Sequence, residues 1–276
     1  MPPNRDQIAR AIECHEAVAW AACIGAASHV DGNPLQAEVD YSISTPLSTL
    51  AVFDFAKFNR VVALGVNSPA TEDDLDAIAS FYLSRGQSRY FIEMTPATRP
   101  ETLASTLRSR GLTPVVDRIA KCWRGLDDIP AAPPDVDVRL LDVTDRDQWA
   151  LVNVSAWTLP SFFKKWFSAT LGVDGFRHYG IFEGDLMVST GALYVTDNVA
   201  WSGFSATRPE CRGHGYQTAT HVRRLLDARE LGCTVVHTEA AADTPEAPNW
   251  SLHNQLKLGF YRIYDKTLIG PADTHT

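Results

Sequence analysis

The stretch "FSATRPECRGHGYQTATHVRRLLDAREL", Phe204 to Leu231, decides how this chain is read. A strand-like run enters at Trp201–Thr207, Pro209 and Glu210 turn the chain, and a helical pattern runs from Gln217 to Leu231 before Gly232. Arg212, Gly213, His214 and Gly215 stand in between. Two residues without a Cβ let the backbone take positive φ and come close to a ligand. The first amides of the following helix have no intrahelical partner and lie at the positive end of its dipole. Such an end seats an anion, and Arg212 adds a permanent forked cation. A pyrophosphate suits this arrangement, while a plain turn is the other reading of a lone Gly-x-Gly. The dinucleotide fingerprint fails for want of a third glycine and a ribose-binding acid, and the Walker pattern for want of Gly-Lys-Ser/Thr.

The neighbouring sequence gives this loop a setting. "DVRLLDV" (Asp137–Val143) reads as a strand. "DRDQWALVNVSAW" and "SFFKKWFS" read as two helices, with Pro160 marking a start. "RHYGIFEGDLMVSTGALYVTDNVAWSGFSAT" holds several strands joined at "EGD" and "TDN" turns. After the loop and its helix come the strand "CTVVHTE", the short helix "SLHNQLKLGF" closed by Gly259, and the last strand "FYRIYDKTLI". The front half repeats this order from its middle onward: a helix to Gly86, the strand "SRYFIEM", a helix closing on Gly111-Leu112, and "TPVVDRIAKCW". Three prolines in "DDIPAAPPDVD" (Asp127–Asp137) forbid helix and mark a linker. The expected layout is residues 1–130, a linker at 127–137, and residues 137–276. A duplicated architecture and a chance likeness of strand-helix-strand units both account for the repeat.

Bulk properties narrow the function. The chain has 276 residues, 45% of them hydrophobic, and a formal net charge of -8 with no lysine-rich run. Nucleic acid and anionic membranes are therefore not expected as main partners. Five scattered cysteines with no CxxC pair imply neither a disulfide framework nor a metal site, and point to a reducing cytoplasm. The apolar run Ala17–Ser28 is too short to span a bilayer. Glu13 and Glu16 occupy the place where a secretory signal has basic residues, so the run is expected to belong to a buried amphipathic helix over residues 5–24.

"PECRGHGYQTA" (Pro209–Ala219) resembles motif A of the GNAT acyltransferase superfamily, Arg/Gln-x-x-Gly-x-Gly/Ala, and "SLHNQLKLGF" (Ser251–Phe260) resembles that family's later helix ending in Leu-Gly-Phe. The two stand in the family's order with one strand between them, and the likeness covers roughly residues 137–269. It implies an α/β (α+β) fold of two GNAT-like domains, each a mixed, mostly antiparallel twisted sheet flanked by helices. It also implies acetyl-CoA, or another acyl-CoA, bound in the second half only. The front copy offers Gly65 and then Pro69 where the loop would be. By the same resemblance, Ala206 and Thr207 offer backbone groups to the pantetheine arm. Arg212, Gly213, His214, Gly215, Tyr216, Gln217 and Thr218 cradle the phosphates. Asn254 either hydrogen-bonds the arm or lies on an ordinary polar helix face.

The implied reaction is acyl transfer to the amine of a small molecule, in a cytoplasmic protein open to forming a homodimer. A base is useful because amines are largely protonated near neutrality. Glu239, at the end of "CTVVHTE", is the candidate, against a solvated strand-end carboxylate. His237 is a second base candidate or a packed histidine. Asp243 and Glu246 lie on a loop beside the expected site. Two residues depart from the family pattern. Gln217 stands where Gly or Ala is usual, which spares the backbone amide. Gln255 stands where many relatives have a tyrosine acid, and glutamine cannot deliver a proton. Tyr261, Tyr264, water or no group at all would then serve. Trp149, Trp157, Phe162, Phe163, Trp166 and Phe167 wall an acceptor pocket or form core. The alternatives are a non-catalytic CoA-binding module, and transfer to a hydroxyl or a protein N-terminus.

Overall fold

The computed structural model describes residues 5–54, 58–244 and 247–271. The chain forms two compact units. Unit 1 is Met1–Lys121, Ala240–Ala247 and Ile263–Thr276; unit 2 is Cys122–Glu239 and Pro248–Arg262. In chain order the first elements are α1 (Arg5–Ser28), β1 (Ala37–Asp40), β2 (Leu47–Leu50), β3 (Arg60–Val61), α2 (Glu72–Leu83), β4 (Phe91–Met94), α3 (Leu103–Ser109) and β5 (Leu112–Gly125). Then follow β6 (Arg139–Leu140), α4 (Arg146–Ala156), α5 (Lys164–Thr170), β7 (Phe176–Glu183), β8 (Leu186–Thr196), β9 (Val199–Thr207), α6 (Tyr216–Glu230), β10 (Val235–Ala241), α7 (Trp250–Lys257) and β11 (Tyr261–Pro271). The division between units falls inside β5, β10 and β11, and the proline-rich stretch 127–137 lies within unit 2.

In unit 1, β3 runs parallel to β4, and β4 pairs antiparallel with the later part of β11. Thr71 and Asp74 close a capping box that starts α2. Leu75, Ile78, Phe81 and Tyr82 of α2 pack with Ile92, Leu103, Leu107 and Ile269. The helix read from the apolar run is α1, and it buries two glutamates. Glu13 and Glu16 meet Arg60, Lys121 and Lys266, and Glu93 joins the cluster through Arg60 and Lys266. Lys266 Nζ lies 2.8 Å from Glu16 Oε2 and 2.7 Å from Glu93 Oε2. Three carboxylates thus balance three cations, all in the interior. That balance is the condition under which buried charge is tolerated.

Unit 2 is built on the sheet order β10-β9-β8-β7-β6. The β6–β9 run is antiparallel, and β10 pairs parallel to β9. Strand β8 is buried along nearly its whole length instead of alternating, so both of its faces are covered. Helices α4 and α6 both pack on β8 and β9. The strand expected at 137–143 is shorter: only Arg139–Leu140 pair, because Asp142 caps a 3₁₀ turn at Val143–Asp145.

Candidate active site

The site begins with a fault in β9. The register against β8 slips between Thr190 and Ala192, leaving Gly191 opposite Phe204 and Ser205. Phe204 takes φ 49, a left-handed value that costs a bulky residue on the order of 1–3 kcal/mol. Aromatic packing holds it there. Its ring meets Trp201 at 5.4 Å, Trp166 at 5.7 Å, Phe167 at 5.8 Å, Trp157 at 5.9 Å and Trp149 at 6.2 Å. Trp149, Phe163, Trp166 and Phe167 are fully buried core. Trp157 is 39% exposed and turns toward a cavity. The parallel pairing of β10 with β9 covers Val235–His237 against Val199–Trp201. Past it the bulged end of β9 forms one wall of that cavity.

The cavity measures about 590 Å³. Its walls are the β9 end (Ser205, Ala206, Thr207), the loop 211–218 without His214, the end of α4 (Ala156, Trp157), and Trp250, Ser251 and Asn254 of α7. The loop has the shape its glycines predict. Gly213 has φ 87, and Gly215 has φ 77 as the N-cap of α6. No side chain caps this helix. Among the described residues, none of the amides from Gly213 to Thr218 donates to a protein acceptor, and the first helical bond is Ala219 N–H to Gly215 O. Six consecutive donors therefore stand unused at the positive end of a 15-residue helix. His214 turns back, its Nδ1 lying 3.1 Å from Cys211 O. Tyr216 donates its hydroxyl to Glu183 at 2.6 Å, a bond that raises its pKa.

Gln217, the departure from the family pattern, ties two walls together. Its Nε2 donates to Ser251 Oγ at 3.0 Å, and its Oε1 accepts from Asn254 Nδ2 at 2.6 Å. With Nδ2 so engaged, Asn254 has Oδ1 left over as an acceptor. Gln255 is buried, and its Nε2 reaches Thr238 Oγ1 and Glu239 O, each at 3.4 Å. Tyr264 donates to Glu13 inside unit 1, and burial drives its pKa up. Tyr261 is 68% exposed beside Trp123.

Of the residues expected at the site, Ala206, Thr207, Arg212, Gly213, Gly215, Tyr216, Gln217, Thr218 and Asn254 line one cavity, and His214 and Glu239 are not among the lining residues. Glu239 is half-buried near the end of β10. His237 is fully buried. Glu246 lies outside the described residues. Ser205, Ser251 and Trp250 are lining residues that sequence reasoning missed. Trp250 follows Asn249, whose side chain caps α7, a start signal that could have placed it at a helix mouth.

No protein-family model matches the chain, and no curated protein does. Solved structures do. A GCN5-related N-acetyltransferase from Kribbella flavida aligns over 91% of this chain and 95% of its own, at 16% identity and a TM-score of 0.60. A conserved protein of unknown function from Staphylococcus epidermidis aligns over 85% and 94%, at 12% identity and a TM-score of 0.58. A tandem GNAT protein from the clavulanic acid biosynthesis pathway aligns over 76% and 73%, at 19% identity and a TM-score of 0.54. The fold of this chain is that of the GNAT superfamily.

Proposed function

We propose that this protein is an acyl-CoA-dependent acyltransferase. In this reading the unit 2 cavity binds acetyl-CoA, or another acyl-CoA, and the acyl group passes to the amine of a small molecule. One observation carries the reading: the bulged strand end, Arg212 with the open-amide residues Gly213 and Gly215 to Thr218, and Asn254 all line a single cavity. Its volume is in the range of small-molecule sites, about 300–1,000 Å³.

The acyl-CoA supplies the activated thioester. The diphosphate takes the amides of residues 213–218 and the Arg212 fork, and Asn254 Oδ1 accepts from the amide-bearing arm. Backbone groups at Ala206 and Thr207 hold the arm, and β9 amides polarise the thioester carbonyl as fixed donors. Holding the amine against that carbonyl supplies most of the rate. The nitrogen forms its bond to the carbonyl carbon, the carbon–sulfur bond breaks, and the thiolate leaves. Glu239 takes the amine proton through water, since its carboxylate is not in the cavity wall. Gln255 contributes no proton, and a thiolate leaves without one. In this reading unit 1 takes no second coenzyme, because Gly65 and Pro69 stand where the Arg-x-x-Gly-x-Gly loop would be.

Gln255 favours a second reading, a CoA-binding module without turnover. Thiol release measured against amines, hydroxyl compounds and N-terminal peptides separates the two, with Arg212→Glu as control. Release with one acceptor class, lost in Arg212→Glu, supports transfer and names the acceptor. Tight CoA binding with no release supports the module. Absence of CoA binding by the wild type overturns both.

A further inference from the structure

Arg224 lies on α6 with no exposed surface. Among the described residues no carboxylate pairs with it: the nearest acid on its own helix, Asp227, is taken by Arg223 at 2.8 Å, Tyr179 at 2.8 Å and Arg177 at 3.9 Å. Burial pulls its pKa down to about 9, which still leaves it charged at neutral pH. The guanidinium is spent on neutral acceptors. Nε donates to Thr220 O at 3.0 Å, within the helix. Nη1 donates to Ala192 O on β8 at 3.2 Å and to Gly203 O on β9 at 3.0 Å. Nη2 donates to Ser205 Oγ at 2.9 Å. The fork therefore grips both strands at the fault, on either side of the left-handed Phe204. Gly191, opposite the bulge, makes room for it, since a Cβ there would lie 2.9 Å from Arg224 Cζ. A cation buried without a counter-charge is costly, and one whose two terminal nitrogens both bond the strands at a bulge acts on that bulge.

We propose that Arg224 is a positioning residue for acyl transfer: it clamps the β9 bulge so that Ser205, Ala206 and Thr207 keep their place in the cavity wall. This rests on the acyltransferase reading. It assigns the strand end to chemistry through α6, whereas the mouth of the same helix seats the diphosphate. Loosening the clamp therefore affects turnover most, and costs coenzyme affinity only what Ala206 and Thr207 give the arm.

The test compares wild type with Arg224→Ala, Arg224→Lys and Gly191→Ala. Arg224→Ala is expected to lower kcat about 10–100-fold, the scale of a displacement near 1 Å, with CoA affinity by calorimetry falling much less than kcat. Added guanidinium ion should restore part of kcat to Arg224→Ala. Hydrogen exchange at the amides of 203–207 should quicken. Arg224→Lys keeps the charge but cannot span three acceptors, so it falls in between. Gly191→Ala displaces the fork and reproduces the loss, which keeps the test alive if Arg224→Ala does not fold. Wild-type kcat and exchange in Arg224→Ala or Gly191→Ala would overturn the proposal. So would an equal loss of kcat and CoA affinity without guanidinium rescue, which would make Arg224 a residue of the fold alone. If the wild type binds no CoA, the acyltransferase reading fails and amide exchange at 203–207 still decides the clamp.

Discussion

Acid should destabilise this protein through two histidines, and replacing His178 should remove its share of the effect. His178 on β7 is buried, with Trp149 edge-on at 4.7 Å and Phe176 stacked at 5.5 Å. Among the described residues its Nε2 has no hydrogen-bond partner, and burial pulls its pKa down to about 3. His221 on α6 is likewise buried; burial first, then the charge of Arg224, lowers its pKa well below the usual value. Both rings are neutral in the folded state. The unfolded chain protonates them near pH 6.5, so below that pH it binds more protons and stability falls as pH falls. For His178 the loss continues until about pH 3, where the folded ring also protonates. At pH 5 the His178 ring costs about 2 kcal/mol relative to neutral pH, and His221 adds a loss of the same sign. His178→Phe fits an aromatic slot and removes one share. Urea unfolding at pH 7.5 and pH 5.0 measures it: the variant should lose about 2 kcal/mol less than wild type on acidification. Carboxylates elsewhere contribute equally to both proteins and cancel. An acid loss the same in variant and wild type would refute the reasoning.

Two further outcomes follow from the same contacts. Gln217→Leu removes the bonds to Ser251 and Asn254, leaves Asn254 unoriented, and should weaken CoA binding about tenfold, the worth of one to two hydrogen bonds; calorimetry showing wild-type affinity would contradict this. Lys266→Met strips one cation from the buried unit 1 cluster and should cost about 3–5 kcal/mol in urea unfolding, and a loss below about 1 kcal/mol, the scale of an exposed pair, would show that the cluster is not truly desolvated.

The shape of the glycine loop was legible because its signals are local: a turn, two glycines that take positive φ, and the start of a helix within a few residues. Helix ends just before Gly232 and Gly259 were legible for the same reason, whereas α2 stops at Leu83, three residues short of Gly86. What the sequence hid depends on residues far apart in it. Nothing local marks Phe204 as left-handed; six aromatic rings from four elements and one connecting turn impose it. Gln217 meets Asn254 across 37 positions, and Glu16 meets Lys266 across 250. Glu13 and Glu16 read as evidence against a signal sequence, yet in the fold they are interior anchors. Arg224 did leave a trace: His221, Arg224, Leu225 and Ala228 fall at helical spacing and are all buried, so a cation sat on the inward stripe of α6. The proline-rich stretch read as a boundary, but it runs within unit 2, where Pro133 lies beside Gly215.

The central claim is that main-chain donors at the mouth of α6 hold the coenzyme diphosphate. Two-dimensional amide NMR during titration with CoA, and separately with pantetheine, tests it most directly. The account predicts that CoA moves the amide resonances of Gly213, Gly215, Tyr216, Gln217 and Thr218 strongly downfield, and that pantetheine, which has no diphosphate, leaves them in place. Saturation by CoA with those five resonances unmoved would contradict it.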